Sequence, residues 1–379
     1  MQEHFQILIV GGGNAGLSVT SQLLRKKSDL KIGIIEPSEK HYYQPAWTLV
    51  GAGIYDINKT RRKEKDYIPK NSTWIIDSVT EFVPTENKVI CQSGKEISYQ
   101  YLVVSPGIQL DWDKIKGLKE TLGKNNVSSN YSFEFAPKTW EFIENFKGGT
   151  AVFTNPSTPI KCGGAPHKIM YLACDYWRKK GILDKCDVHY ISGGASIFGV
   201  PEYAETLKKV LQKYKIQTHF SANVTAINGP TKTVEYETKA TDETIKQSLS
   251  TIDAACYSIA TTNDNAETKK VSMQFDLCHA VPPQSAPDFI KKSPIADPNS
   301  PLGFVEVDKF TLQHSRFPNV FALGDCTNAP CSKTGAAIRK QAPVVVANIL
   351  AVLEGKAPTE KYDGYSACPI PTEYGKLML

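Results

Sequence analysis

The stretch FQILIVGGGNAGLSVTSQLLRKKSDLKIGIIE, residues 5–36, decides the fold of this chain. It opens with the apolar run Phe5–Val10, passes through a glycine cluster into the helical pattern Leu17–Lys26, and closes with a second apolar run, Lys31–Ile35. A strand, a tight turn, a helix and a second strand within about 30 residues form a βαβ unit with a parallel sheet. The sequence therefore predicts an α/β protein.

The glycine cluster has the order GxGxxG and is followed, at the end of the second strand, by an acidic residue. Its first glycine permits the tight turn, its second lets backbone N–H groups approach a pyrophosphate, and its third allows close helix packing. Glu36 is placed to accept the hydroxyls of an unphosphorylated ribose, as in FAD or NAD. The predicted cofactor-binding residues of this turn are Gly11, Gly13, Asn14, Ala15 and Gly16.

A second motif, FPNVFALGD at residues 317–325, favours FAD. The buried strand Val320–Leu323 ends in Gly324 and Asp325, and the helix Gly335–Leu353 follows. The motif resembles the second FAD motif of the disulfide-reductase-like flavoproteins, in which the matching aspartate binds the ribityl chain. Two motifs about 300 residues apart are more specific than either one alone.

A second α/β segment begins near Gly149, and its elements are predicted as strand 150–154, helix 166–179, strand 188–192 and helix 203–214. We therefore predict two Rossmann-like dinucleotide-binding domains of three-layer type, with the second inserted in the first. The predicted division is 1–115 plus 290–355 for the FAD-binding domain, 116–289 for the inserted domain, and 356–379 for a C-terminal tail. Residues 237–270 are polar and weakly periodic, which indicates a variable surface excursion.

The turn of the second segment reads SGGASIFG, residues 192–199, and does not match GxGxxG. Pro201 is expected to interrupt any helix that follows directly. NAD(P)H binding at this turn is therefore not expected, and a small-molecule reductant is favoured.

Composition and charge exclude several classes of protein. The chain has 379 residues, 41% of them hydrophobic, and a net charge of +5, which suits an enzyme of two or three domains and gives no argument for nucleic acid. The basic run 59–65 is interpreted as a solvated loop. No apolar run reaches the roughly 18 residues that span a bilayer, and with the first strand at Phe5 we expect no presequence before the fold.

The nine cysteines include no CxxC pair, so neither a metal site nor a disulfide scaffold is predicted. Cys162, in PIKCGGAP, precedes a predicted helix, and the helix N-terminus and Lys161 would both stabilise a thiolate. Cys368, in YDGYSACP, lies in a turn-rich tail. From the residues alone, each is either a redox thiol or a small packed side chain.

Over nearly its whole length the chain resembles the mitochondrial-type sulfide:quinone oxidoreductases. The matching segments are the GGGNAG turn, IIEPSEKHYYQPAWTLVGAG (34–53), ISYQYLVV (97–104), TPIKCGGAPHKIMYL (158–172), FGVPEYAETL (198–207), SRFPNVFALGDCTN (315–328) and KYDGYSACP (361–369). The resemblance implies that Cys162 and Cys368 are the redox pair and that Cys331 is structural. The flavin contacts that it implies are Asn14, Ala15, Glu36, Gln44, Val79, Asp325 and Lys333.

The same resemblance implies a reaction and a location. Hydrogen sulfide would be oxidised to a protein persulfide, its sulfur passed to glutathione, sulfite or sulfide, and its electrons passed through FAD to ubiquinone. The family sits peripherally on the mitochondrial inner membrane and normally continues with a membrane-facing tail, whereas this sequence stops at Leu379. The alternatives are a type II NADH:quinone oxidoreductase, a flavocytochrome-type sulfide dehydrogenase, and an inactive flavoprotein that acts as a redox sensor.

Overall fold

The computed structural model describes residues 3–262 and 267–379. These residues form two compact units. The first comprises Met1–Tyr42, Arg61–Gln109 and Gln284–Cys368, and the second comprises Tyr43–Thr60, Leu110–Pro283 and Pro369–Leu379.

The described elements are mixed α and β. The helices are α1 Asn14–Lys26, α2 Trp47–Gly51, α3 Leu118–Thr121, α4 Ala136–Asn145, α5 Ala165–Lys179, α6 Pro201–Lys213, α7 Asp242–Ser248, α8 Asp288–Lys291 and α9 Gly335–Leu353. The strands are β1 Glu3–Val10, β2 Ile32–Ile35, β3 Lys40–Tyr42, β4 Arg61–Lys63, β5 Ser72–Ile75, β6 Val79–Val83, β7 Lys88–Cys91, β8 Glu96–Val104, β9 Gln109–Leu110, β10 Val127–Ser128, β11 Gly149–Asn155, β12 Cys186–Ser192, β13 Gln217–His219, β14 Ala222–Asn228, β15 Thr233–Thr238, β16 Tyr257–Thr261, β17 Lys269–Gln274, β18 Leu277–His279, β19 Gln284–Ser285, β20 Val320–Ala322, β21 Ile370–Glu373 and β22 Lys376–Met378.

The first unit is built on a seven-stranded sheet with the order β5-β2-β1-β8-β7-β6 and β20 beside β8. Strands β5, β2, β1, β8 and β20 run parallel, while β7 is antiparallel to both of its neighbours. Strands β2 and β20 and the C-terminal ends of β1 and β8 are runs of buried apolar residues, as expected for a sheet covered on both faces. The α/β fold class with parallel sheets is thus confirmed.

Helix α9 of the first unit is, among the described residues, the one helix long and apolar enough to cross a membrane. It packs against α1, and half of its most apolar window is buried within the protein. Its Asn348 amide donates to the carbonyls of Thr311 and Glu360, both at 3.0 Å. These contacts are those of a core helix in a folded domain.

The second unit contains a parallel sheet of order β10-β18-β11-β12-β13 and an antiparallel sheet of order β14-β15-β17-β16. Residues 237–270, expected to be a variable surface excursion, contribute to the antiparallel sheet through the last residues of β15, β16 and the first residues of β17, and they contain α7. The described residues of this stretch are nearly all exposed or half-buried, with Thr238, Ile245 and Leu249 as the buried ones, so the stretch lies largely at the surface but has regular secondary structure. Residues 263–266 lie outside the described part of this region.

Two short segments from elsewhere in the sequence complete the second unit. Helix α2, from 43–60, packs against α4 and α5, and the hairpin β21–β22 packs against α5. The Tyr374 hydroxyl donates to the Ala52 carbonyl at 2.6 Å, and its backbone N–H donates to the buried carboxylate of Asp175 at 3.0 Å. These two bonds tie both segments to the second unit.

Candidate functional site

The glycine turn of the first unit lies between β1 and α1. Gly11 has φ +103°, and a Cβ there would lie 2.6 Å from the Ser105 carbonyl oxygen. At Gly16 an added Cβ would lie 2.0 Å from the Gly11 carbonyl oxygen, so the helix packs on the turn too closely for a side chain. At Gly13 an added Cβ would meet nothing within 4 Å. The turn is therefore closed on its protein side and open at Gly13.

Helix α1 presents uncompensated N–H groups beside that opening. Gly13 is its N-cap, no side chain caps it, and its first turn holds no acidic residue. The first N–H groups of a helix and its dipole attract an anion such as a phosphate. Asn14 and Ala15 are the first two residues of the helix.

Glu36 follows β2 with its carboxylate fixed by backbone groups. One oxygen accepts from the Gly12 N–H and the other from the Ser38 N–H, both at 2.8 Å. Burial raises the pKa of Glu36, the two backbone hydrogen bonds act against that rise, and the neighbouring Glu64 carboxylate adds to it. A carboxylate oriented in this way at the end of the second strand can accept ribose hydroxyls.

The second motif lies against the first. Gly324, with φ +79°, follows β20, and an added Cβ there would be 3.6 Å from the Ala15 Cβ. An added Cβ at Gly335, where α9 begins, would be 3.8 Å from the Asn14 amide nitrogen. The fold thus brings together two motifs that are about 300 residues apart in the sequence.

Lys333 is a buried cation that fixes the loop after Gly324. Its ammonium donates to the carbonyls of Asp325 at 2.7 Å and Thr327 at 2.9 Å, and it lies 3.8 Å from the centre of the Phe304 ring. Loss of hydration lowers the pKa of Lys333, and the charge of Asp325 opposes that shift. Lys333 therefore holds the backbone of the residue that the resemblance assigns to the ribityl chain.

The two other predicted flavin contacts lie in different places. Val79 is the buried first residue of β6 in the first unit. Gln44 belongs to the second unit, where its side-chain carbonyl accepts from the Lys161 ammonium at 2.7 Å. Their contact with a flavin stays a prediction.

These features fit a bound FAD. The open glycine turn and the uncapped helix suit a pyrophosphate, Glu36 suits an adenosine ribose, and the Gly324–Asp325 loop suits a second approach to the same cofactor. Among the described residues, no group of three or more His, Cys, Asp or Glu side chains could hold a metal ion.

The cysteines differ in their oxidation state. Cys162 and Cys368 are in the disulfide-bonded form, and the other seven are free thiols. Cys162 lies between β11 and α5 at φ +91°, a strained conformation for a residue other than glycine. Its carbonyl accepts from the Ala165 N–H at 2.7 Å, which fixes the loop to the start of α5.

The Cys368 segment is anchored in the first unit. Asn348 of α9 accepts from the Glu360 N–H at 2.9 Å and donates to the Glu360 carbonyl at 3.0 Å. The N–H of the buried Tyr362 donates to the Phe310 carbonyl at 2.8 Å. Cys368 itself is half-buried.

The cation beside the Cys162 sulfur is Lys168, which sequence reasoning missed. Its ammonium lies 3.2 Å from the Cys162 Sγ. The sequence pointed to Lys161 for this part; the Lys161 ammonium donates to Gln44 and lies over the rings of Trp47 and Tyr131, and its effect on the Cys162 thiolate stays a prediction. The available signal was helical spacing, since a lysine in the first turn of a helix leans toward the residues before it.

The turn of the second unit differs from the glycine turn of the first. Helix α6 begins at Pro201, so no helix follows β12 directly, as expected, and the proline is the first residue of the helix. Eight residues, 193–200, separate β12 from α6, and an added Cβ at Gly193 would lie 2.4 Å from the Ser157 backbone nitrogen. Glu202 places an acidic side chain in the first turn of α6, which disfavours a phosphate at that helix end.

Comparison with known proteins agrees with this description. Residues 5–143 match the family model described as pyridine nucleotide-disulphide oxidoreductase. The chain is 48% identical to the mitochondrial sulfide:quinone oxidoreductase of Dictyostelium discoideum over 99% of this chain and 76% of that protein. It is 39% identical to the mitochondrial enzyme of Mus musculus over 100% of this chain and 78% of that protein. The solved sulfide:quinone oxidoreductase of Aquifex aeolicus shares the fold, with a TM-score of 0.71, 20% identity, and coverage of 93% of this chain and 77% of that chain.

The fold and the paired motifs define an FAD-dependent oxidoreductase of the two-dinucleotide-fold class. With relatives this similar over almost its whole length, the chain belongs to the sulfide:quinone oxidoreductase family, and its two relatives above are named as mitochondrial enzymes.

Proposed function

We propose that this protein oxidises hydrogen sulfide at Cys162 and Cys368 and passes the electrons through FAD to ubiquinone. The observation that carries the proposal is the oxidation state of the cysteines, because Cys162 and Cys368 alone among the nine are disulfide-bonded. They are also the two cysteines that the family resemblance assigns to the redox pair.

In the cycle that we propose, these two sulfurs are bridged to each other at the start, and the first step is a thiol–disulfide exchange at that bridge. Hydrosulfide attacks the Cys368 sulfur, a new S–S bond forms there, and Cys162 leaves as a thiolate with the electron pair of the broken bond. Cys368 then carries a persulfide. Two thiols are needed because one must hold the sulfur atom while the other carries the electrons onward.

A small acceptor completes the cycle. The thiolate of glutathione, or sulfite or sulfide, attacks the outer sulfur of the Cys368 persulfide and releases the Cys368 thiolate. FAD, when bound, accepts the two electrons that are given up as the dithiol returns to the disulfide and delivers them to the quinone. The residues that we propose to hold it are those of the glycine turn, Glu36, Gln44, Val79, Gly324, Asp325 and Lys333.

The turn of the second unit argues against NADH as the electron donor. Its long loop, the close contact at Gly193 and the acidic Glu202 all oppose a pyrophosphate there. Sulfide therefore remains the reductant that the site supports best.

Serine substitution of the cysteines tests the proposal. Cys162→Ser and Cys368→Ser should each abolish the sulfide-dependent reduction of a water-soluble quinone analogue. When two residues act as a unit, replacing either one costs nearly as much activity as replacing both. Cys331→Ser is the matched control and should retain activity, since Cys331 is a free thiol that accepts from the Gln341 amide at 3.4 Å. Near-normal turnover by Cys368→Ser would refute the two-cysteine mechanism.

We also propose that the protein works in mitochondria, peripherally on the inner membrane, since its quinone acceptor is dissolved in lipid. Co-sedimentation with liposomes that contain long-chain quinone tests this location. Fast turnover of a water-soluble quinone, with no binding to liposomes and no turnover of the long-chain quinone, would count against it.

A further inference from the structure

Lys168 reaches the Cys162 sulfur from the first turn of α5. Its backbone N–H donates to the Gly164 carbonyl at 3.1 Å, and its ammonium lies 3.2 Å from Sγ. Long side chains on a helix lean toward its N-terminus, which brings a lysine at this position over the preceding loop. The loop is fixed in turn by the bond from the Ala165 N–H to the Cys162 carbonyl. The contact between the two side chains therefore rests on backbone geometry at both ends.

The surroundings leave the Lys168 charge available to the sulfur. Among the described residues, the Cys162 sulfur is the hydrogen-bond partner of this ammonium, and no carboxylate forms an ion pair with it. Loss of hydration lowers the pKa of Lys168 to about 8. The adjacent His167 is buried, and burial followed by the charge of Lys168 lowers its pKa to about 3, so it stays neutral. Lys161, the other nearby cation, is bonded to Gln44.

We propose that Lys168 is a catalytic residue that stabilises the Cys162 thiolate and so makes Cys162, rather than Cys368, the leaving sulfur when hydrosulfide opens the bridge. Stabilisation of the thiolate is a property of the free Cys162 thiol and does not depend on the reaction with sulfide. The leaving-group part, that Cys162 departs when the bridge opens, rests on the proposed function. Exchange is faster when the departing thiol has the lower pKa. The step needs no further reactant, because HS⁻ and the bridge yield the Cys368 persulfide and the Cys162 thiolate.

The ionisation of Cys162 can be measured without sulfide or quinone. In a Cys368→Ser background Cys162 is a free thiol, and its alkylation by iodoacetamide is followed against pH by mass spectrometry of the Cys162 peptide. Removing an opposite charge in contact should raise the thiol pKa by about 1–3 units. Lys168→Met should therefore slow alkylation near neutral pH by about tenfold or more.

Two matched variants accompany that measurement. Lys168→Arg keeps a cation and should hold the Cys162 pKa near that of the parent. Lys161→Met removes the sequence neighbour, whose ammonium is engaged elsewhere, and should leave the Cys162 pKa unchanged. A Lys168→Met pKa within about 0.3 units of the parent, far below the shift that a contacting charge gives, would overturn the proposal. An equal shift in Lys161→Met would do the same.

The leaving-group part is tested by locating the persulfide. One equivalent of sulfide is added without an acceptor. In the wild-type protein the persulfide should be found on Cys368, whereas in Lys168→Met some molecules should carry it on Cys368 and others on Cys162. A persulfide confined to Cys368 in both proteins would overturn this part. If sulfide failed to react with either protein, the proposed function would fail and the leaving-group part with it, whereas the alkylation result would still decide the role of Lys168 at the thiol.

Discussion

We expect the second unit to lose stability between neutral and mildly acidic pH, because three of its histidines are buried. Burial lowers the pKa of His167, His219 and His279 to about 3. His279 accepts from the Asn130 N–H through Nε2 at 3.0 Å, a bond that requires an unprotonated nitrogen. The Nε2 atom of His219 is hydrogen-bonded to Nδ1 of His189 at 2.9 Å, and its Nδ1 atom is hydrogen-bonded to the Tyr236 hydroxyl at 3.0 Å. In the unfolded chain each would titrate with a pKa of about 6.5.

The sign and size of the effect follow from proton binding. Because the folded pKa is depressed below the unfolded value, the unfolded chain takes up protons that the folded chain refuses, and acid favours unfolding. From about pH 7.5 to about pH 5.5, each histidine should lower the free energy of unfolding by roughly 1.4 kcal/mol, or about 4 kcal/mol for three. That is a large part of the roughly 5–15 kcal/mol by which domains are stable.

The loss of stability in this pH range is due to the histidines and not to the ion-paired carboxylates of the same unit. The pKa of Asp175 is lowered by its hydrogen bonds to Lys179, Tyr374 and Arg178 against the desolvation that would raise it, and the pKa of Asp187 is lowered by His189, again against desolvation. The stability that these carboxylates contribute is present above the unfolded pKa of about 3.9 and is lost only at lower pH.

Urea unfolding followed by tryptophan fluorescence measures the loss, because four of the five tryptophans, Trp47, Trp112, Trp140 and Trp177, belong to the second unit. His167→Phe should remove about one third of the pH dependence, since its ring packs among those of Tyr171, Tyr190 and Phe198 and a phenyl group suits that site. His4→Gln, at an exposed position of the first unit, is the control. An unfolding midpoint that does not change over this range, or a His167→Phe protein with the full pH dependence, would refute the reasoning.

Two further predictions concern the dinucleotide turns. Gly16→Ala should yield protein with little or no bound flavin, because its Cβ would lie 2.0 Å from the Gly11 carbonyl oxygen. Gly199→Ala is the control and should retain normal flavin content, because there is open space at its Cβ. A Gly16→Ala protein with a full complement of flavin would contradict the turn geometry. NADH and NADPH should bleach the visible flavin absorbance slowly or not at all, because Glu202 and the long loop oppose a phosphate at α6; rapid bleaching would favour the type II NADH:quinone oxidoreductase alternative instead.

Local patterns predicted the elements around the cofactor site well. The helix Gly335–Leu353 has the bounds expected from its sequence, and the strand–glycine–helix unit begins within two residues of the expected start. Such elements are readable because their signals, glycine spacing and continuous apolar runs, lie within a few turns of chain. By contrast, α7 and β16 lie in a stretch that is Thr-, Lys- and acid-rich, so few apolar residues marked them in the sequence.

Contacts between distant parts of the sequence were not predictable. The sequence-based division placed residues 43–60 with the FAD-binding residues, whereas the structure groups them with the second unit. The hydrogen bond from the Tyr374 hydroxyl to the Ala52 carbonyl joins residues 322 positions apart, and no local sequence pattern predicts it. The same holds for Lys168, which lies six positions from Cys162 and contacts it only because a helix begins between them.

Placement, rather than local sequence, separates the proposed redox pair from five of the seven free cysteines. Burial raises the pKa of Cys91 and Cys186 to about 11 and of Cys326 to about 12, and it raises those of Cys174 and Cys278 further. A thiol that stays protonated neither attacks a disulfide nor leaves as a thiolate, so these five cannot exchange at neutral pH. Cys162 and Cys368 lie in loops and are half-buried, and Cys162 has a cation at its sulfur. Burial thus removes five of the seven free cysteines from exchange chemistry, and it does so without a CxxC motif to mark the proposed pair.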